Sequence, residues 1–512
     1  MLGLRTFDGI DRASLLLADP LVVSELLMKV KVERVLRRTT LREALEDLVR
    51  ASEELARQGR CAYFTAKTKA GPILRGIVAG GQVVSIALEA EGVMRAGAEA
   101  LRELDRLWSD EVMASHGSIA IDELPAQLRE VVREALRSKE PPGAWLGKVL
   151  YGTYSIESLL TEKGGYAFVL IANDGRARFV VKVPKKNVVN DKRALDDYVR
   201  SSLSPMFVAR ATEADLLPGL RTLGINEGIA RSLAKYSKYV SAPVMVSLPV
   251  NRFDDLAYVE RPPVIVEPYA DRGDLASMVS RASLDLDNLI YIGIRISGAL
   301  ALAHVLGVLH MDVKPSNILL ASDPSEVLGY RPVLTDFAGG PSLGARARIS
   351  KVTPEYADPL SLLEGYAGPD YDVYSLGMTL ARAAVPRIFE HRVLANLVIM
   401  ATLYGHEARV EQYARGNAKL SRLAERLKAL FREFASRRIT LDEVAGSMAS
   451  ELGELDEEDY KVLEESVGKE VSSLIRSSTL LDRKRRLSNA VLQWNSFVET
   501  ARRLGRARLV VE

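Results

Sequence analysis

The chain reads as α+β: short strands mark its first half, one long apolar helix follows, and charged helices close it. Three observations carry this reading. Residues 179–183 and 264–267 are brief apolar runs rich in Val and Ile, the pattern of buried strands. Residues 289–310 place apolar side chains at helical spacing and end in a polar loop. That loop, His310-Met311-Asp312-Val313-Lys314-Pro315-Ser316-Asn317-Ile318-Leu319-Leu320, sets a carboxylate, an ammonium and an amide just ahead of another apolar strand.

In chain order, residues 40–56 carry Leu41, Ala44, Leu45, Leu48 and Val49 on one helical face, behind Thr39-Thr40 as the cap. The period then changes to two. Residues 62–65, 73–78 and 82–88 read as strands, the last two joined through Gly80-Gly81 as a hairpin. A helix from about Gly92 to Trp108 should cover one face of them. Pro141-Pro142-Gly143 cannot continue a helix, so it closes a first α+β domain at 1–140.

The next stretch, 160–169, reads as strand, tight turn and strand, with Gly164 and Gly165 letting backbone N–H groups approach an anion. Lys182 is a lone cation in the apolar run 179–183, which is costly unless it is paired. Glu227 and its rival Glu213 are downstream carboxylates that can pair with it, and spacing does not fix which. Residues 264–275 read as an apolar strand breaking into a polar linker, in which Pro268 has no N–H to donate.

In the loop, Asp312 can accept a proton from an attacking hydroxyl, Lys314 can neutralise a transferring phosphoryl group, and Asn317 can hold a divalent metal. Phosphoryl transfer needs that set. A second chelating carboxylate follows at Asp336-Phe337-Ala338-Gly339, then Thr353-Pro354-Glu355-Tyr356-Ala357-Asp358-Pro359 and Asp372-Val373-Tyr374-Ser375-Leu376-Gly377. The series resembles the protein-kinase family, specifically its eukaryotic-like serine/threonine branch of prokaryotic or archaeal type. Its motifs H-R-D-x-K-x-x-N, D-F-G, T-P-E-Y-x-x-P and D-V-x-S-x-G occur in this order.

The resemblance implies a bilobal kinase fold over 148–452, with a β-rich lobe at about 148–270 and a helical lobe at about 271–452. It implies Asp312 as base, Lys314 and Asn317 beside it, and metal on Asn317 and Asp336. ATP and Mg2+ (or Mn2+) would be the cofactors. Gly164, Gly165, Val169 and Lys182 would clamp the nucleotide, Glu227 would pair with the lysine, and Glu267 to Ala270 would form the hinge that bonds adenine. His310 would pack under the loop, Thr353 would set its hydroxyl beside Asp312, and Asp372 would tie the loop down. Protein Ser or Thr hydroxyls, including the enzyme's own, would be the acceptors.

Departures from the pattern qualify this. Met311 stands where the family has the arginine that reads a phosphorylated activation segment, so such activation is not expected. Ala338 replaces the D-F-G glycine, and Glu162 and Ala167 replace two glycines of the phosphate loop. Asp358-Pro359-Leu360 replaces A-P-E, which should leave Arg438, in the R-x-T-like Arg438-Ile439-Thr440, without its buried partner. The run Ser322-Asp323-Pro324-Ser325-Glu326 reads as a surface hairpin. The alternatives are a nucleotide-binding pseudokinase scaffold, suggested by these erosions, and a small-molecule kinase, which generally lacks Lys314 and the T-P-E-Y segment.

The flanks are less specific. Residues 1–140, with their helix, hairpin and helix, resemble small PATAN-type domains of prokaryotic signalling chains, which implies a sensing or assembly module that would form a homo-oligomer or bind a signalling partner. Residues 453–512 read as a helical extension, with an acidic helix start at Asp456-Glu457-Glu458-Asp459 and a solvated basic run, Arg483-Lys484-Arg485-Arg486. Over the 512 residues, Lys+Arg 69 against Asp+Glu 67 gives a net charge of +2, so no nucleic-acid partner is expected. The single cysteine, Cys61, excludes an internal disulfide framework and fits a reducing compartment. The beginning of the chain does not read as a secretory leader, no membrane association is expected, and the expected location is cytoplasmic.

Overall fold

The computed structural model describes residues 6–510 apart from 8, 70, 137–141, 162–165, 249–254, 282–283, 338–339, 342–345, 350–351 and 406. The chain divides into two compact units, Met1–Ile156 and Glu157–Glu512.

The first unit is built on a six-stranded antiparallel sheet. Its order is Lys31–Thr40, Glu111–Ala120, Arg60–Thr68, Ile73–Ala79, Gln82–Ala90, Val93–Ala96. Helix Leu41–Arg57 starts where the cap predicts, because the Thr40 hydroxyl accepts from Glu43 N while the Glu43 carboxylate accepts from Thr40 N. The turn at Gly80-Gly81 has φ of +57° and +77°, the left-handed pair that a two-residue hairpin requires. The expected helix from Gly92 is instead the strand Val93–Ala96 followed by helix Ala98–Leu107. The outer strand Lys31–Thr40 was hidden by its charges, Lys31, Glu33, Arg34, Arg37 and Arg38, which suit a sheet edge. Glu111–Ala120, rich in Ala, Ser and Gly, has weak strand propensity and is imposed by pairing on both sides.

The second unit opens with an antiparallel sheet in the order Met245–Ser247, Val264–Pro268, Arg178–Pro184, Ala167–Asn173, Tyr154–Thr161. A helical half follows, centred on Leu286–Val305. That helix is long and apolar enough to cross a bilayer, but it is buried from Leu289 to Val305 in the core. Gly293 lets the Phe497 ring sit where a Cβ would otherwise lie, 2.5 Å from the nearest ring atom. Phe497 belongs to helix Ala490–Arg503, so residues 453–512 are not a separate extension. Leu463, Leu474, Trp494 and Phe497 share one core with Leu289 and Leu300.

Two other expectations for this region are corrected. Asp456 does not start a helix: it lies inside Leu441–Val467, where it is buried against Arg392 at 2.6 Å and His391 at 2.7 Å. The run at 322–326 is a loop between paired strands Ile318–Ser322 and Tyr330–Leu334, but Glu326 is not at the surface. Its carboxylate accepts from Tyr239 at 2.6 Å and from Tyr291 and Arg295 at 3.0 Å each.

Candidate active site

Helix Leu286–Val305 delivers the chain to the catalytic loop, and Asp372 fastens the loop at its entry. Asp372 lies in the first turn of helix Pro369–Ala384, fully buried. Its carboxylate accepts from His310 N at 2.8 Å, from Met311 N at 2.7 Å and from the His304 ring at 2.9 Å. Burial alone would raise this carboxyl, but hydrogen bonding and charge from His304, helped by His310, hold it below the ordinary carboxylate range. Anchored at both N–H groups, Met311 takes φ of +66°, a strained angle that turns Asp312 toward the cleft.

His310 works as a spacer. Its Nδ1 accepts from Asp312 N at 3.2 Å, its Nε2 reaches the Thr335 carbonyl at 2.9 Å, and burial lowers its pKa, so it stays a neutral ring with both nitrogens engaged. The Phe337 ring packs on it at 4.5 Å between centroids. His310 therefore joins the loop to Thr335-Asp336, which carries the second carboxylate.

Asp312 is 5% exposed and has two of its partners close by in sequence. Lys314 Nζ donates to its Oδ2 at 2.8 Å, and Asn317 Nδ2 donates to its main-chain oxygen at 2.8 Å. From the segment beyond, Thr353 Oγ1 donates to Asp312 Oδ1 at 2.8 Å, and Lys314 Nζ also reaches that hydroxyl at 3.2 Å. The site thus holds a carboxylate accepting from a hydroxyl, with an ammonium beside both. Asn396, which the sequence did not single out, anchors this segment by donating to the carbonyls of Pro354 at 2.7 Å and Ala357 at 2.8 Å.

Lys182 faces the cleft from strand Arg178–Pro184, directly across from Val169. Its ammonium meets Glu267 Oε1 at 2.9 Å and Asp336 Oδ1 at 2.6 Å. Burial opposes the charge, but the two carboxylates outweigh it and raise the lysine pKa. This corrects the expected pairing. Glu227 is half-buried in a short 3-10 turn and bound to Arg221 at 2.8 Å. Glu213 begins helix Glu213–Thr222, exposed. Glu267, expected in the hinge, turns its side chain inward to the lysine and leaves only its main chain to face a ligand there. Two lone opposite charges in apolar runs, Lys182 and Glu267, were the available signal. Ala270 lies in the linker past the strand end. Gly164 and Gly165, and Ala338 after Asp336, lie outside the described residues.

Asp336 has φ of +61° and a half-exposed carboxylate. Asn317 spends its NH2 on Asp312, leaving the amide oxygen as its remaining acceptor. A carboxylate and an amide oxygen at one cleft fit a hard divalent cation. Among the described residues no group of three or more His, Cys, Asp or Glu forms a metal cluster. Magnesium, usually held by one or two carboxylates together with substrate phosphates, suits so sparse a donor set.

The end of the segment is pinned by residues misread in the sequence. Arg486 bonds Asp358 through both oxygens, at 3.0 and 3.1 Å, and Asp370 at 3.0 Å, while Arg483 adds Asp358 at 3.0 Å and Glu364 at 2.8 Å. Arg483 and Arg486 are therefore not part of a solvated basic face. Arg438, expected to lack a buried partner, is exposed. Burial would raise the Asp358 carboxyl, but Arg486 and then Arg483 hold it far below the carboxylate range.

Residues 250–495 match the family model described as protein kinase domain. This segment is a protein kinase domain. It contains the catalytic loop, Asp336, Thr353, Asp372 and Arg486, while the lysine strand precedes the matched stretch. The kinase domain is similar to serine/threonine-protein kinase PknK of Mycobacterium tuberculosis, 38% identical over 146 residues, which are 27% of this chain and 12% of that protein. It is also similar to serine/threonine-protein kinase ArnS of Sulfolobus acidocaldarius, 25% identical over 257 residues, which are 47% of this chain and 38% of that protein. The chain thus spans well under half the length of these relatives. The solved kinase domain of Mycobacterium tuberculosis PknI aligns with a TM-score of 0.37 and 15% identity, covering 69% of this chain and 98% of that one.

Proposed function

We propose that the chain is an ATP-dependent serine/threonine protein kinase that uses Mg2+ and also phosphorylates itself. The observation that carries this is the Thr353 hydroxyl donating to Asp312 Oδ1 at 2.8 Å with Lys314 beside both. An acceptor hydroxyl presented to Asp312 has the same chemistry as Thr353 Oγ1. Asp312 accepts the proton as the acceptor oxygen forms its bond to the γ-phosphorus, the bond to the β–γ bridging oxygen breaks, and ADP leaves with that electron pair. Lys314 steadies the charge on the transferring group, and Lys182 orients the nucleotide phosphates. Asp336 and Asn317 would hold Mg2+, which when bound would supply charge neutralisation at the phosphates.

The short reach from Asp312 to Lys314 and Thr353 suits a Ser or Thr hydroxyl, since a phenol carries its oxygen several ångströms further from the backbone. Phosphoamino-acid analysis of the protein incubated with labelled ATP and Mg2+ tests this: phosphoserine and phosphothreonine are expected, and phosphotyrosine as the main product refutes it. For 1–140 the reading is a sensing or assembly module of PATAN-like kind, with signalling as the context. The reading of a cytoplasmic location rests on the cysteine count: the single cysteine, Cys61, fits a reducing compartment.

A further inference from the structure

Lys182 takes one of its two counter-charges, Glu267, from the sheet and the other, Asp336, from beyond it. In the strand pair Arg178–Pro184 and Val264–Pro268, Val180 lies opposite Glu267 and Lys182 opposite Ile265, so Lys182 and Glu267 are diagonal neighbours on one face. Such diagonals lie about 7–8 Å apart at the backbone, within reach of two long side chains. Glu267 is 7% exposed, and its second oxygen accepts from Thr335 Oγ1 at 3.4 Å, the residue before Asp336. From helix Lys192–Ala209 the lysine strand receives a hydrogen bond of another kind: Tyr198 OH donates to the Lys182 main-chain oxygen at 3.2 Å. That bond touches the backbone and leaves the ammonium alone.

We propose that Glu267 is the positioning residue for Lys182, so that the orientation of the ammonium is set within the sheet and does not depend on the neighbouring helix. This rests on the kinase reading. Two strands joined by a backbone ladder cannot slide past one another without breaking it, whereas a packed helix can rotate or shift as a unit. Glu267 also leaves Lys182 with a buried counter-charge when Asp336 is engaged elsewhere, which matters because an unpaired buried ammonium is strongly disfavoured.

The test uses the full chain with labelled ATP and a generic basic protein as substrate, measuring kcat, KM for ATP and, by calorimetry, ATP affinity. Glu267→Ala is expected to lower kcat/KM by about 10²-fold through misplacement of the ammonium. In a Lys182→Ala background the same change is expected to cost less than about twofold, because Glu267 then has nothing left to position. Glu267→Gln keeps the shape and serves if Glu267→Ala does not fold; its loss should likewise vanish without Lys182. A full rate in both Glu267 variants overturns the proposal, as does an equal loss with and without Lys182, which marks a merely structural role. So does a Tyr198→Phe loss as large as that of Glu267→Ala, which returns control to the helix. A parent chain without any transfer defeats the kinase reading instead. The calorimetric arm then judges Glu267 alone: lost ATP affinity that depends on Lys182 supports it, and unchanged affinity overturns it.

Discussion

Asp312 and Lys182 are both charged groups held in an apolar frame, and they are held in opposite ways. Asp312 is framed by its own loop, with Lys314 two residues away and Asn317 five residues away. Lys182 is framed from 85 and 154 residues away, by Glu267 and Asp336. A group held by its neighbours survives distant damage, while a group held by remote pins moves when a pin is cut. The segment carrying Thr353 is of the second kind, fixed by Arg486 from 128 residues away.

If the remote pins matter as this contrast implies, cutting Arg486 has the largest effect on the fold. Arg486→Ala leaves Asp358 buried with only part of its compensation and should lower stability by about 3–5 kcal/mol, whereas the exposed Arg438→Ala should stay within about 0.5 kcal/mol. Urea unfolding of the two variants checks this, and equal losses would contradict it.

Next in size is the metal. Asp336→Ala, a remote pin and a charge, should slow transfer by about 10²–10³-fold, more than Asn317→Ala, which removes a neutral amide. Magnesium titration of the rate in both variants measures it. A larger loss from Asn317→Ala would mean that the local group carries the metal.

These effects also mark what was legible in the sequence. The loop His310–Asn317, the Thr40 cap and the Gly80-Gly81 turn depend on residues within a few positions of one another, so spacing alone predicts them. Glu267 and Arg486 do not. Glu267 looked like the last residue of a hinge strand because its partner lies on another strand. Arg483 and Arg486 looked solvated because the acidic groups that bury them, Asp358, Glu364 and Asp370, come from helices far up the chain. Strand Glu111–Ala120 was missed for the same reason, since only its neighbours make it a strand.

A smaller effect sharpens the contrast through pH. Glu326 is drawn inward among Lys238, Tyr239, Arg295 and Tyr291; burial works against ionisation, but Lys238, Tyr239 and Arg295 lower its pKa to about 2. A depressed carboxyl adds stability that is full above its unfolded value and is lost as pH falls toward the folded value. The parent should therefore lose stability between about pH 4.5 and 2 by a margin that Glu326→Gln lacks. Matched acid-unfolding curves would contradict this.

The smallest expected change is none. Met311 has no cation to read a phosphate, so phosphatase treatment should leave most of the rate intact. Silencing by the phosphatase, with restoration by a phosphate on Thr353 or on Ser350, which lies outside the described residues, would show that another cation does this work.

The central claim is that Asp312 acts as the base in phosphoryl transfer, and one measurement meets it directly: transfer rate and ATP affinity determined on the same preparation of Asp312→Asn. The account predicts a rate lower by about 10²–10⁴-fold with ATP affinity nearly unchanged, because the base is removed and the nucleotide clamp is left standing. A rate within a factor of about two of the parent would contradict it, since general-base catalysis contributes far more than that.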